Sequence, residues 1–371
     1  MQFGRYAKLL TVVAMASLWG DIAAADETTI TVSGYGTIGG TLTSDGNFAY
    51  RHDSTEFIGA TNQLDIGVDS RLGVQAVLEY GDSLSVTAQE VFKRRGSSNF
   101  DPGTEWFYAQ YSFTPYVDVR LGRVAIDTFL LSDSINVGYA AIWFNAPNEI
   151  YASEPFKFLD GAQGHWATYL GDVKVKLEGA FGQSSVNLIV GGQTVIQSAK
   201  NAANAALSIE YRNWLLRVAY TDISAPLTLP LGATHSLTYT THDHFAAIGS
   251  RYDDGRAVLL GEWTHRTQND IPTLGKPLAA GAEYYAAAGW HLHKFTPMVV
   301  FGVYRSSSQL IAPPGEYKSW TGVLRYDLFH NVALKAQVTR TGAGNTRFWV
   351  TPNFTSNENV NVYSFGADFV F

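Results

Sequence analysis

From residue 29 onward the chain repeats one unit: about ten residues in which apolar and polar positions alternate, a turn, and ten more. Successive side chains on a strand point to opposite faces, so each run predicts one apolar and one polar face. The runs fall at 29–42, 63–80, 83–92, 105–113, 117–124, 163–170, 173–182, 204–212, 214–222, 244–252, 256–266, 280–291, 295–306, 318–327, 331–341 and 359–371. About sixteen strands, an even number, are expected, and no long window carries the 3.6-residue helical period.

The connections alternate in length. Tight turns follow at "GDS" (81), "TPY" (114), "GD" (171), "RN" (212), "DDG" (253), "HKF" (293) and "LFHN" (328), and long polar stretches such as "FKRRGSSNFDPGT" separate the hairpins. One end of the structure is therefore trimmed and the other elaborate. The expected fold is all-β: a closed transmembrane antiparallel barrel with short periplasmic turns and long external loops. Closure is a physical necessity, because an open sheet edge in hydrocarbon leaves backbone N–H and C=O groups without partners.

The two faces differ in composition. In 173–181, Val173, Val175, Leu177 and Phe181 oppose Lys174, Lys176 and Glu178; in 332–339, Val332, Leu334, Ala336 and Val338 oppose Lys335, Gln337 and Thr339. Some sixteen strands enclose a lumen too wide for side chains to fill, so the polar set is expected inside and the apolar set against lipid. Tyr80, Phe113, Tyr211, Trp214 and Phe329 flank the tight turns, where an interfacial aromatic belt belongs. The last run places Tyr363, Phe365, Ala367, Phe369 and Phe371 on one face.

Met1–Ala25 has Arg5 and Lys8, then "LLTVVAMASLW", then three alanines, the layout of a cleaved secretory signal. Two domain-level segments follow: 1–25 removed, and 26–371 a single barrel. Without the signal the net charge of −7 becomes −8, which disfavours a nucleic-acid partner. There is no cysteine, so neither disulfides nor thiolate metal sites hold the chain together.

The signal, the first strand "TVSGYGTIGG", the pair "SRLGVQAVLEYGDSLSVTAQ", the sequence "FYAQYSFTPYVDVRLGR" and the terminal phenylalanine together resemble a Gram-negative outer-membrane porin across residues 26–371. The resemblance implies passive diffusion of small hydrophilic solutes and ions through a water-filled pore, a homotrimer in the outer membrane, and Phe371 as the signal read by the barrel assembly machinery. It implies no cofactor. It also implies that the longest interruption, 124–162, is the loop that folds into the barrel and narrows it. Phe129, Leu130, Tyr139, Ile142, Trp143, Phe144 and Tyr151 make that loop too apolar for disorder, with packing over the outer rim as the competing placement.

Rings of charge at a constriction set selectivity. The loop supplies Asp127, Asp133, Glu149 and Glu154; alternation places Arg71 and Arg120 opposite, with Arg123 pointing inward only if a bulge follows Gly122. Lys174, Arg212, Arg217, Arg256, Arg325 and Lys335 are further wall candidates, and each charge has the alternative of a wall ion pair that never meets solute. Ile30, Val32, Gly34, Gly36 and Ile38 give the first strand a flat outer face, expected to be the subunit contact, with a glycine-permitted bend as the alternative.

Two other classes of function have candidate residues in the sequence. A barrel enzyme needs a convergent set, and "HDH" at 242–244 offers His242 and His244 without a serine-centred motif. His291 and His293 lack further metal ligands at a suitable spacing. The reading is therefore of a non-enzymatic channel, with a substrate-specific channel as the alternative; ion preference stays open.

Overall fold

The computed structural model describes residues 28–371 except 53–54, 97, 153–155, 191–192, 231–235, 272–274, 276, 278–279, 308–314 and 343–358. The expected signal and Glu154 lie outside the described residues. Sixteen strands form one closed antiparallel barrel: β1 (Thr28–Thr43), β2 (Arg71–Tyr80), β3 (Leu84–Arg95), β4 (Ser98–Thr114), β5 (Val117–Ala125), β6 (Phe158–Leu170), β7 (Val173–Val190) and β8 (Gln193–Tyr211), then β9 (Trp214–Pro230), β10 (Ser236–Asp253), β11 (Ala257–Gln268), β12 (Gly281–Trp290), β13 (Phe295–Ser306), β14 (Gly315–Phe329), β15 (Val332–Gly342) and β16 (Asn359–Val370). Each strand pairs with its sequence neighbours, and β16 closes on β1 from Tyr35↔Val370 to Thr43↔Val362.

The expected alternation holds. On β1, Ile38 is 68% exposed while Thr37 and Thr41 are buried toward the interior; on β16, Phe365 is 48% exposed while Ser364 and Asp368 are buried. With such large apolar side chains outside and hydroxyls and carboxylates inside, the faces are arranged for a barrel standing in hydrocarbon. Tyr80, Phe113, Trp214, Trp290, Phe329 and Phe371 form an exposed aromatic ring at the short-turn end.

Several strand boundaries differ from expectation, most of them by extension toward the long-loop end. β2 begins at Arg71 rather than 63: residues 63–70 make only an isolated bridge, Asp65 to Thr41, and Asp65 binds Arg94 at 2.7 Å. β8, β9 and β10 run further toward that end than expected: "QSAKNAANAA" and "TDISAPLTLP" keep the strand alternation beyond the apolar band, although their Ser, Thr, Asn and Pro read as loop.

The outer glycines of β1 serve the barrel itself. A Cβ on Gly34 would lie 2.2 Å from the Phe371 ring, and one on Gly36 would lie 2.3 Å from the Phe369 ring. The terminal aromatics thus fold over a notch that only glycine leaves open. Gly34 and Phe371 also exchange backbone hydrogen bonds at 2.8 and 2.9 Å. Ile30, Val32 and Ile38 remain as the bare outer residues of this strand.

Candidate functional site

After β5 the chain does not return over the rim. Residues 126–152 fold into the barrel, carrying a 3-10 turn at Gly138–Ala140 and a short helix α1 (Asn148–Tyr151). The reason lies in both partners. Phe129, Trp143, Ile150 and Tyr151 of the loop pack in one buried cluster with Phe245, Val258, Tyr285, Met298, Val300 and Val323, all from β10–β14. That stretch of wall carries a cluster of apolar side chains on its inner face as well as its outer one. "GAEYYAAAGW" and "FTPMVVFGVYRS" are unusually poor in charge for lumen strands, and this was the legible signal for where the loop docks.

Polar contacts fix the loop along the same wall. The Lys335 ammonium donates to the carbonyls of Gly138, Ala141 and Trp143 at 2.7, 2.7 and 3.0 Å and pairs with Asp368 at 2.8 Å, with both side chains fully buried. Arg325 donates to the carbonyls of Tyr139 and Ala141, each at 2.7 Å. Gln337 accepts from the amides of Phe144 and Asn145 at 3.0 and 3.1 Å. Glu262 accepts from the hydroxyls of Tyr151 and Tyr285 and, at 2.9 Å, from the amide of Leu130. Gly138 sits so close to Asp368 and Thr37 that a Cβ would fall 2.0 Å from the carboxylate, so no other residue fits. The loop reaches deep: the Tyr139 hydroxyl donates at 2.6 Å to the carbonyl of His330, in a tight turn at the far end.

The expected wall cations therefore divide. Arg325 and Lys335 face inward, as alternation required, but they hold loop carbonyls and are not presented to solute. Arg217 is also an anchor, donating to the Asp127 carbonyl at 2.8 Å and to Glu178 at 2.9 Å. Lys174 is half-buried on the inner wall and paired with Glu210 at 3.0 Å. Arg212 and Arg256 correct the expectation: both are exposed in tight turns, Arg212 with φ of 52°. Arg123 is a correction too. Alternation continues through Gly122, so Arg123 points outward, pairs with Asp160 at 2.7 Å and lies 3.9 Å over the Phe158 ring.

Arg71 and Arg120 face the lumen on the β2–β5 wall. Arg120 donates to Gln110 at 2.8 Å and stacks 4.9 Å from the Tyr108 ring. Among the described residues Arg71 has no ion-pair partner. It lines a cavity of about 90 Å³ between this wall and loop residues 134–138, together with Lys93, which sequence reasoning missed. Lys93 reaches Asn136 of the loop at 3.2 Å and shares Glu105 with Arg95, at 3.4 and 2.9 Å.

Of the loop acids, Asp133 is exposed and the other two described ones are buried. Burial, and after it the Glu178 carboxylate, pushes Asp127 up to about 7. Glu149, on α1, is 5% exposed, is hydrogen-bonded to Ser319, and packs where a Cβ on Gly302 would lie 2.7 Å from its carboxyl carbon. Burial raises it above its ordinary 4.5, with the Ser319 hydroxyl working against the shift. The docked loop therefore holds the Glu149 proton more tightly than the undocked loop, which releases it near 4.5. Docking is then strongest below that pH and weakens as pH rises toward the folded value, by at most about 1.4 kcal/mol per pH unit. Protease nicking of the loop between about pH 4 and 8 should increase with pH, and Glu149→Gln should make the rise shallower, leaving the part that Asp127 contributes.

The histidine pairs do not assemble a catalytic or metal centre. His242 and His244 lie on the outer face; His242 meets the Ser224 hydroxyl at 2.9 Å, whereas Asp222 pairs with His244 at 2.7 Å, so hydroxyl, imidazole and carboxylate do not line up. His291 bonds Thr296 at 3.1 Å and Asp253 at 3.4 Å beside a tight turn.

No family model matches the chain, and no curated protein matches it. Solved structures do. An anion-selective porin from Comamonas acidovorans aligns with TM-score 0.61 at 13% identity, over 93% of this chain and 100% of that one. The trimer form of OmpT, an outer membrane protein of Vibrio cholerae, aligns with TM-score 0.59 at 12% identity, over 93% and 100%. The outer membrane channel DcaP of Acinetobacter baumannii aligns with TM-score 0.58 at 11% identity, over 94% and 99%. Sixteen strands closed on themselves, an inward loop after the fifth and a match along nearly the whole length of each of these proteins give this chain the fold of the Gram-negative outer-membrane porins.

Proposed function

We propose that the protein is an outer-membrane porin of a Gram-negative bacterium, through which small hydrophilic solutes and ions diffuse passively. The observation that carries this reading is the one-sided attachment of the loop. Most of its anchors gather on β9–β16, with Gln163 of β6 holding its root and Lys93 of β3 reaching Asn136, while Arg71, Lys93, Arg95 and Arg120 remain part-exposed on the inner face of β2–β5. A crescent of water along that wall passes solutes past these four cations, with Glu79, Asp101, Glu105 and Asp118 interspersed and Glu105 already paired to Lys93 and Arg95; the proposed preference is for anions. The likeness to an anion-selective porin supports the same direction.

The mature chain begins at Asp26, its aromatic outer face meets lipid, and the assembly machinery reads the end at Phe371. A homotrimer is the proposed assembly, supported by the trimer form of the Vibrio cholerae protein; the contact uses the bare residues Ile30, Val32 and Ile38 of β1. Insertion into a planar bilayer tests the reading. Discrete conductance steps closing in threes, with a reversal potential displaced toward anions and flux that does not saturate, are expected. Absence of steps rejects the pore, and saturable block by a single solute replaces diffusion with a substrate-specific channel.

A further inference from the structure

At the root of the loop, three side chains from three elements converge. Asp127 follows β5, His165 lies on β6 and Glu178 on β7; each is 6% exposed, and one ligand atom from each lies within 4.8 Å of the others. We propose that these three residues bind a divalent transition-metal cation, with Zn²⁺ as the reference ion.

The imidazole makes the case. Its Nδ1 lies 2.8 Å from Asp118 Oδ1; a carboxylate accepts, so Nδ1 carries the proton and Nε2 keeps its lone pair. That Nε2 is buried without a hydrogen-bond partner and lies 3.5 Å from Glu178 Oε1. A lone pair aimed at a carboxylate oxygen is an arrangement that a cation between them stabilises. A carboxylate behind Nδ1 is also the usual device for orienting a metal-binding histidine and raising its basicity.

The other two ligands are held in the same manner. Gln163 donates to Asp127 Oδ2 at 2.9 Å, and Arg217 donates to Glu178 Oε2 at 2.9 Å. Lys176 occupies Glu178 Oε1 at 2.7 Å, but its side chain is 36% exposed to the lumen and can swing away when the metal arrives. Asp118, Asp127 and Glu178, when ionised, against Arg217 leave two negative charges for a divalent ion. One nitrogen and two carboxylate oxygens suit zinc and its first-row neighbours, with a fourth position left for water. An ion with bonds of about 2.1 Å spaces its donors about 3.5 Å apart, the separation His165 Nε2 and Glu178 Oε1 already have.

Because Asp127 belongs to the loop and the other two to the wall, the ion would fasten the loop where it enters the barrel. The folded full chain in detergent, stripped with chelator and dialysed against Zn²⁺ alone, should retain one zinc per chain. His165→Gln and Asp127→Asn should abolish retention, and Asp118→Asn, which leaves every ligand in place, should weaken it about 10–100-fold. His242→Ala with His244→Ala should leave it unchanged. No stoichiometric zinc, retention undiminished in His165→Gln, or loss in the outer histidine pair overturns the site. Should His165→Gln not fold, Asp118→Asn decides, with unweakened binding counting against the proposal. None of these readouts depends on solute passage, so the site and the pore reading fail separately.

Discussion

Replacing Lys335 by alanine lowers the stability of the folded protein by about 3–5 kcal/mol and enlarges the single-channel conductance step. Both effects have one origin. Lys335 is the cation that Asp368 faces at the β15–β16 ladder and the shared donor for three loop carbonyls. Without it a fully buried carboxylate loses its counter-charge, retaining only Thr37 as a donor at 2.5 Å, and the middle of the loop loses its firmest tether. The stability part is read by thermal melting in detergent. The conductance part is read in planar bilayers, where a loosened loop obstructs less of the lumen. A double substitution of Lys335→Ala and Asp368→Ala separates them: it removes the stranded charge and recovers much of the stability, yet keeps the enlarged step. An unchanged step in both variants would mean that the loop does not limit the passage.

Substituting Arg71 and Arg120 together by alanine shifts ion preference toward cations. A unit charge about 6 Å from a passing ion in water changes its energy by about 0.7 kcal/mol. Anion and cation feel that with opposite sign, so each arginine is worth about tenfold in their permeability ratio before screening and about threefold at physiological salt. The pair should therefore move the ratio by roughly tenfold, measured as a reversal potential under a salt gradient. Fold and step size should be little affected, since neither side chain anchors the loop; Arg120 meets only Gln110 and the Tyr108 ring, and Arg71 pairs with no acid among the described residues. A reversal potential equal to that of the parent protein would remove both residues from the route of the ions.

Alternation of period two made the barrel legible, because it is enforced at every strand by the difference between lipid and lumen. It placed Arg71, Arg120, Arg325 and Lys335 inside correctly, and it pointed Arg123 outward. What it could not say is which inner cations meet solute. Lys335 is consumed by carbonyls 192 to 197 positions earlier in the chain, contacts that no local pattern encodes. Arg212 and Arg256 were assigned to walls because strand ends blur by a residue or two at tight turns, and a one-residue slip at such a point takes the side chain off the wall altogether. His165 and Gln163 went unnoticed for a different reason: on β6 they read as ordinary polar lumen residues until the loop brings Asp127 down onto them.

The notch on β1 that receives Phe369 and Phe371 links two segments more than three hundred positions apart, as Thr37 and Asp368 are by 331. Sealing the cylinder is thus the act of highest contact order in the whole molecule, and it cannot precede delivery of the last strand. A nascent product interrupted before that strand would keep a raw ladder edge open to proteases and to other chains. The aromatic clasp doubles in this way as a proofreading step, admitting only unbroken copies to a stable existence in the bilayer.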